Sequence, residues 1–116
     1  MSLFKGRCHC GEVAFQFETE ITSLLECNCT ICHKLGSLWI FIPASSVHFE
    51  KEKVRMSEYQ FGQKKLTHKF CQKCGIETFA CGEDKEGNKL MGINVRCLED
   101  FEWKDFEVRA HDGKNL

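Results

Sequence analysis

The sequence predicts a mostly β domain whose short antiparallel strands are held together in part by metal-binding cysteines. Seven short segments either alternate apolar and polar residues or run apolar, with turn residues between them, which is typical of strands. No segment shows the sustained 3.6-residue periodicity of a long helix. Nine of the 116 residues are cysteines, and most of them lie close together in sequence. At this length we expect a single domain spanning residues 1–116.

The first two predicted strands have the clearest patterns. Residues 12–18 alternate, with three apolar side chains on one face and polar side chains on the other, which predicts a half-buried strand. Residues 38–42 are apolar without interruption. We therefore expect a strand that is buried on both faces and that ends at Pro43, the only proline of the chain.

The remaining predicted strands lie in the second half of the chain. Residues 47–50 and 54–61 have weaker patterns. Residues 65–70 alternate, lead directly into a pair of cysteines, and are followed by the mostly apolar residues 76–80, which predicts a hairpin with the cysteines at its tip. Residues 90–95 form the last predicted strand, and we assign no strand to the tail after it.

Charge and hydropathy argue against two classes of partner. The net charge is −1, from 16 basic and 17 acidic residues, whereas non-specific nucleic-acid binding rests on phosphate neutralisation by Lys and Arg. Four lysines could form a local basic patch, but their alternation indicates the solvent-facing side of a strand: Lys64, Lys65, Lys69 and Lys73. No apolar run approaches the ~20 residues that a membrane span needs. We expect neither a nucleic-acid nor a membrane partner.

The cysteine content indicates a reducing compartment. The cysteine count is odd, and residues 1–10 contain no apolar run of the kind found in secretory signals. In such a compartment closely spaced cysteines are typical of metal sites rather than disulfides. The expected location is intracellular, in the cytoplasm, with a nuclear location left open.

Cys27, Cys29 and Cys32 place three thiols within six residues. Zinc takes four ligands in a tetrahedron with sulfur at ~2.3 Å, so three neighbouring thiolates leave one position to be filled from elsewhere. The ligand at this fourth position decides whether the zinc is catalytic or purely structural. The candidates within the chain are His33, Cys81 and Cys97, and we expect none of them to bind.

The sequence Cys71-x-x-Cys74-Gly75 is typical of a zinc knuckle. A redox-active pair is the usual alternative, but such a pair lies between a strand and a helix, and here both flanks are predicted strands. A closed site needs two more sulfurs.

Cys8 and Cys10, flanked by glycines, could supply those two sulfurs and close a four-cysteine site that contributes directly to folding. The spacing alone also permits an exchange in which Cys27 and Cys29 pair with the knuckle. For Cys81 and Cys97, which stand singly in strand-like segments, we expect the role of small buried apolar residues.

Taken together, these motifs resemble the glutathione-dependent formaldehyde-activating enzyme family, whose domain centromere protein V also carries. The resemblance rests on five blocks that occur in order along nearly the whole chain: Gly6-x-Cys8-x-Cys10-Gly11-x-Val13-x-Phe15, Cys27-Asn28-Cys29-x-x-Cys32 with Gly36, Phe70-Cys71-x-x-Cys74-Gly75, Asn94-Val95-Arg96-Cys97-Leu98, and Asp112-Gly113-Lys114-Asn115.

The resemblance implies a β-tent fold of several short antiparallel sheets around two zinc sites. The residues that match its structural site are Cys8, Cys10, Cys71 and Cys74. Those that match its catalytic site are Cys27, Cys29 and Cys32, with the fourth position open to a thiol substrate. The implied activity is that of a carbon–sulfur lyase, which joins glutathione to formaldehyde and catalyses the reverse reaction.

The chemistry of a three-thiolate zinc suits a soft thiol as fourth ligand. Arg96 and Lys34 are candidates to bind substrate carboxylates, with ordinary solvated charges as the alternative. His33 could transfer a proton, bind the zinc or lie on the surface. Two further functions stay open: a non-catalytic zinc module that binds a protein or chromatin partner, and a thiol-disulfide oxidoreductase that uses the Cys27–Cys32 thiols.

Overall fold

A computed structural model describes residues 1–113 of the chain. The mostly β class is confirmed. The ten strands of the described residues are β1 (Ser2–Arg7), β2 (Ala14–Thr19), β3 (Ser23–Cys27), β4 (Trp39–Pro43), β5 (His48–Phe49), β6 (Met56–Tyr59), β7 (Thr67–Cys71), β8 (Glu77–Glu83), β9 (Lys89–Asn94) and β10 (Glu107–His111). One short α-helix, α1 (Thr30–Leu35), follows β3, and three 3-10 turns complete the described elements. None of these helices has the length and apolar character needed to cross a membrane.

All seven predicted strands are present, with ends shifted by a few residues. Three further strands were missed: β1, β3 and β10. Each is short and largely exposed, with one or two inward-facing side chains, so the sequence carries little periodic signal there. The predicted loop at the three thiols is also partly wrong, because Cys32 lies within α1. Lys114 and Asn115 of the closing motif lie outside the described residues.

The strands form two sheets. The smaller sheet has the order β1-β2-β5 and is antiparallel. The larger has the order β10-β3-β4-β9-β8-β7-β6. All of its pairs are antiparallel except the pair of β10 with β3, which is parallel. The C-terminal strand therefore lies beside the strand that leads into the three-thiol segment.

The core lies between the two sheets and includes a group of packed aromatic rings. Phe15 and Phe17 project from β2, and the ring of Phe15 packs edge-on against Phe79 of β8 at 4.7 Å between centroids. Phe49 of β5 meets the same Phe79 ring at 5.5 Å. All of these residues except the half-buried Phe49 are at most 2% exposed, so this contact fixes the small sheet on one face of the large one.

In the part of the chain that the structure describes, no second sheet packs on the opposite face of the large sheet, which is termed the uncovered face. Direct cross-strand pairs place Phe41, Gly92, Ala80 and His68 in one row across β4, β9, β8 and β7. Paired residues project from the same face, and the next row projects into the core. At the centre of this row, the Phe41 ring lies over Gly92, and a cavity lies above Ala80 and His68.

The expectation that residues 38–42 are buried on both faces is therefore only partly correct. Ile40 and Ile42 point into the core, whereas Phe41 is 43% exposed because it borders the cavity. A Cβ at Gly92 would lie 2.7 Å from the Phe41 ring, so the ring occupies the space that a side chain there would need.

Glu12, directly after the first cysteine turn, is a buried carboxylate that anchors a distant loop. Its Oε1 accepts hydrogen bonds from Lys51 Nζ at 3.0 Å and Arg55 Nη2 at 3.2 Å, and its Oε2 accepts one from the Arg55 backbone N–H at 3.4 Å. These contacts, with Arg55 first, lower the pKa of Glu12 from 4.5 to about 2. The charged carboxylate therefore stabilises the fold at neutral pH.

We expect Glu12→Gln to lower the melting temperature at pH 7 by about 5 °C or more. Lys51→Met should have a smaller effect, because Arg55 still donates to the same carboxylate. Since the pKa is lowered on folding, the Glu12 contribution is complete above about pH 4.5 and is lost as the pH falls towards 2. Differential scanning calorimetry of the three proteins measures the effect. Equal losses in the two variants at pH 7 would contradict it.

Candidate metal centres

Seven of the nine cysteine sulfur atoms lie in two separate groups. Cys8, Cys10, Cys71 and Cys74 form one, and Cys27, Cys29 and Cys32 form the other. Within each group the sulfur atoms all lie within 4.8 Å of one another. The partition is the one expected from the sequence, and the exchange of pairs between the groups does not occur. All seven cysteines are free thiols rather than disulfides.

The four-sulfur group is built from two similar turns. Each turn ends in a glycine with positive φ, Gly11 at 87° and Gly75 at 82°, a conformation that favours glycine. In the first turn the Val13 backbone N–H donates to Cys8 Sγ at 3.3 Å. In the second, two backbone N–H groups donate to Cys71 Sγ at 3.3 and 3.4 Å. Such N–H···S bonds stabilise thiolates.

The thiols of this group differ in their pKa values. Burial raises the pKa of Cys74, but the backbone N–H groups of Ile76 and Cys10 outweigh burial and lower the pKa to about 6. For Cys10 the Glu12 backbone N–H lowers the pKa, whereas desolvation and the neighbouring thiols raise it to about 11. Four sulfurs this close cannot all ionise unless a cation compensates their charge.

The three-sulfur group is built around the start of α1. Cys27 ends β3, Cys29 precedes the first helical residue, and Cys32 lies in the first turn. Burial raises the pKa of Cys29, but the backbone N–H groups of Cys32 and Ile31 contribute to an overall lowering. These are the N–H groups that the start of a helix leaves without helical partners. Gly36, at φ 68°, ends the helix.

Strand β10 and the residues that follow it pack against the three-sulfur group. His111 of β10 is paired with Cys27 of β3, and its carbonyl accepts the Asn28 backbone N–H at 3.1 Å. Asp112 accepts a hydrogen bond from the Asn28 side chain at 2.9 Å. Gly113 packs directly on Cys27, since a Cβ there would lie 2.6 Å from the sulfur.

Both groups fit zinc. A tetrahedral zinc with sulfur at ~2.3 Å requires sulfur–sulfur distances of about 3.8 Å. In the four-sulfur group Cys10 lies 3.7 Å from Cys8 and 3.6 Å from Cys71, measured between Sγ atoms. The buried indole N–H of Trp39, which has no hydrogen-bond partner among the described residues, belongs to the same buried cluster as Cys32. A thiolate at Cys32 would give that N–H an anionic neighbour.

The three sulfurs open into a cavity of about 630 Å³ on the uncovered face of the large sheet. Much of its wall is apolar, with Leu25, Trp39, Phe41, Phe61 and Leu66 among the lining residues. The polar lining includes two lysines and two histidines: Lys64, Lys65, His68 and His111. No Asp or Glu of the described chain lines it.

The structure does not bring the other predicted site residues into this cavity. His33 and Lys34 are exposed in the last turn of α1, where positive charge favours the helix C-terminus, and neither lines the described cavity wall. Arg96 lies over the Trp103 ring at 5.5 Å and is also absent from the described lining. The expected binding role of Arg96 and Lys34 thus has no support in the geometry.

Cys81 and Cys97 stand outside both sulfur groups. Each is half-buried rather than fully buried, and burial raises the pKa of both thiols, that of Cys97 to about 12. Burial thus disfavours the thiolate form of both side chains, which is close to the expected small apolar role. Neither they nor His33 join the three sulfurs as a fourth close ligand atom in the described residues.

Comparison with known proteins places the chain in a family. The sequence model of the family described as glutathione-dependent formaldehyde-activating enzyme matches residues 3–112. The chain belongs to this family. Three of the five sequence blocks that indicated the resemblance carry the seven cysteines of the two sulfur groups.

A solved structure has a similar fold. The crystal structure of a Rhodobacter sphaeroides protein is 27% identical in sequence, with a TM-score of 0.74. The match covers 90% of this chain and 99% of that one. The two proteins therefore share one fold over 90% of this chain.

We expect Gly113→Ala to weaken metal binding at the three-sulfur group by at least about tenfold, because the added methyl would displace the Cys27 sulfur. Binding at the four-sulfur group should not change and serves as an internal control. Zinc titration against a competing chelator, followed by elemental analysis, measures both affinities. An unchanged affinity at the three-sulfur group would contradict the close packing of Gly113 on Cys27.

Proposed function

We propose that this chain is a zinc-dependent carbon–sulfur lyase that joins a small thiol, glutathione or a similar compound, to formaldehyde or another small carbonyl, and catalyses the reverse reaction. It binds two zinc ions, one at each sulfur group. The observation that carries the proposal is the three-sulfur group, which has no fourth protein ligand among the described residues and opens into the cavity.

The four-sulfur group has the structural role. Its two turns lie 61 residues apart in sequence at the Cys10–Cys71 contact, and they belong to different sheets. A zinc held there by Cys8, Cys10, Cys71 and Cys74 has no open position and joins the N-terminal turn to the β7–β8 hairpin. Binding of this zinc therefore contributes to folding rather than to catalysis.

The three-sulfur group has the catalytic role. A zinc held by Cys27, Cys29 and Cys32 offers one open position to a thiol sulfur and lowers the pKa of that thiol. The wall of the cavity excludes water from one side of the site through Trp39 and Phe41. The small carbonyl would occupy the space above the row of small residues on the sheet.

Lys64 and Lys65 bind the anionic part of the thiol substrate. They line the cavity, the described lining carries no carboxylate, and a thiol such as glutathione has two carboxylates. This assignment replaces the one made from the sequence to Arg96 and Lys34. Lysine suits the role as a charged donor on a flexible side chain at the mouth of the cavity.

The non-catalytic module remains the competing function, and the fourth position distinguishes the two. A structural module needs a fourth protein ligand at the second zinc, whereas a lyase needs an exchangeable one. The geometry of the described residues favours the exchangeable position, because three ligands from one short segment leave the cavity side of the site free.

The two sites should differ in their effect on stability. Cys71→Ser should unfold the domain, since structural zinc contributes on the order of 10 kcal/mol, comparable with a total domain stability of roughly 5–15 kcal/mol. Cys29→Ser should leave a folded protein that binds one zinc, because its site joins neighbouring residues of one segment. Thermal melting and elemental analysis of both variants measure this. Identical melting curves would refute the assignment of roles.

The activity is tested on the zinc-loaded protein by exchange NMR of glutathione, formaldehyde and their adduct. The wild-type chain should accelerate exchange above the spontaneous rate, and Cys29→Ser should lose that acceleration. With cobalt in place of zinc, glutathione should change the absorption bands of one site only. Thiol-insensitive bands together with spontaneous exchange rates would favour the non-catalytic module.

Cys81→Ser is the matched control for this experiment. It removes a half-buried thiol of the same sheet that lies outside both sulfur groups. It should retain wild-type exchange rates and both zinc ions.

A further inference from the structure

His68 and Glu77 form a buried ionisable pair that no role described so far uses. His68 Nδ1 and Glu77 Oε2 lie 3.2 Å apart, and the two side chains are only 3% and 6% exposed. The pair joins β7 to the start of β8. Buried ionisable groups are costly unless they are paired, and such pairs often occur at functional sites.

Through His68, this pair adjoins the cavity of the three-sulfur group. His68 is paired directly with Ala80 across β7 and β8, so both project from the uncovered face of the large sheet. Ala80 in turn belongs to one buried cluster with Cys32 and Trp39. His68, Ala80 and all three sulfur-bearing residues line the same cavity.

The imidazole ring of His68 is held on two sides. Glu77 binds Nδ1, and the Phe61 ring stacks on the imidazole with 5.6 Å between centroids and 26° between planes. Nε2 has no hydrogen-bond partner among the described residues. A carboxylate at Nδ1 favours the tautomer that carries the proton there, which leaves Nε2 as an acceptor. Nε2 is therefore the ring atom available to a molecule in the cavity.

The other histidines considered for this role lack such an arrangement. His111 also lines the cavity but is exposed, and no described carboxylate is bonded to its ring. His33 is exposed and lies outside the described cavity wall. Among these three, only His68 combines burial, a fixed orientation and a place in the cavity.

We propose that His68 is the proton acceptor and donor of the lyase reaction and that Glu77 is its positioning residue. This inference rests on the proposed function. In the forward direction, the thiol proton passes to Nε2, the sulfur lone pair forms the bond to the carbonyl carbon, and the carbonyl π electrons move to oxygen. That oxygen then takes the proton from Nε2. Atoms and charge balance without another reactant.

The reverse direction uses the same groups. Nε2 takes the hydroxyl proton of the adduct, the carbon–oxygen double bond forms, and the carbon–sulfur bond breaks with its electrons on sulfur. The thiol then recovers the proton. One positioned imidazole therefore serves both directions, which is the usual behaviour of a general acid–base catalyst.

The proposal is tested by counting protons when reduced glutathione binds to the zinc-loaded protein. Calorimetry in buffers of different ionisation enthalpy gives the protons released per thiol. If His68 accepts the thiol proton, His68→Gln should release more protons than the wild type, by up to one per thiol bound. Its turnover should fall roughly 100-fold, with a smaller change in KM for glutathione.

Two further variants separate this role from a purely structural one. Glu77→Gln should shift the tautomer of His68, which ¹⁵N NMR detects, and should lower turnover while retaining both zinc ions. His111→Gln is the matched comparison in the same cavity and should leave the proton count at the wild-type value. If His68→Gln fails to fold, the tautomer of His68 and the turnover measured in Glu77→Gln still test the proposed role of His68.

The outcomes distinguish this proposal from the proposed function. Equal proton release in the wild type and His68→Gln, or a raised count in His111→Gln instead, would overturn the role of His68. A His68-dependent proton count without any acceleration of adduct exchange would support proton acceptance by His68 and contradict the lyase function. If neither glutathione nor 2-mercaptoethanol binds, both proposals are wrong.

Discussion

The packing of Phe15 on Phe79 is the contact on which the rest of the structure depends. It fixes the small sheet against one face of the large sheet, with ring centroids 4.7 Å apart. A Cβ at Gly6 would lie 2.4 Å from the Phe15 ring, so β1 also packs closely against it. Because β1 and β2 flank the first cysteine turn and β7 and β8 flank the second, this one aromatic contact brings the two turns together.

Covering only one face leaves the other face of the large sheet for chemistry. The row from Phe41 to His68 has small residues, Gly92 and Ala80, at its centre. A larger side chain at Ala80 would enter the cavity beside the three sulfurs, and one at Gly92 would displace the Phe41 ring that borders this cavity. The same face therefore holds the three-sulfur group, the apolar wall and the buried His68–Glu77 pair, while the other face packs into the core.

The two sulfur groups differ in how the chain supplies their ligands. The four-sulfur group needs two distant turns, so the fold must form before its atoms converge, and a zinc bound there would in turn stabilise that fold. The three-sulfur group comes from one segment at the start of α1, and a distant segment packs against it: β10 pairs with β3, and Gly113, two residues after β10, lies against Cys27. A locally formed site of this kind keeps one side free for a small molecule.

The sequence by itself determined the strand class and the seven predicted strands, because alternation is a local property. Ligand spacing left an exchange of cysteine pairs open, and the tertiary structure decided the division. The sequence did not determine β1, β3 or β10, whose few inward-facing residues depend on pairing with distant strands. It predicted functional roles for His33, Lys34 and Arg96, because these residues are near the cysteines in sequence or lie in a family motif. Only the tertiary structure placed His68, Lys64 and Lys65 in the cavity, since cross-strand pairing brings together residues that the sequence keeps far apart.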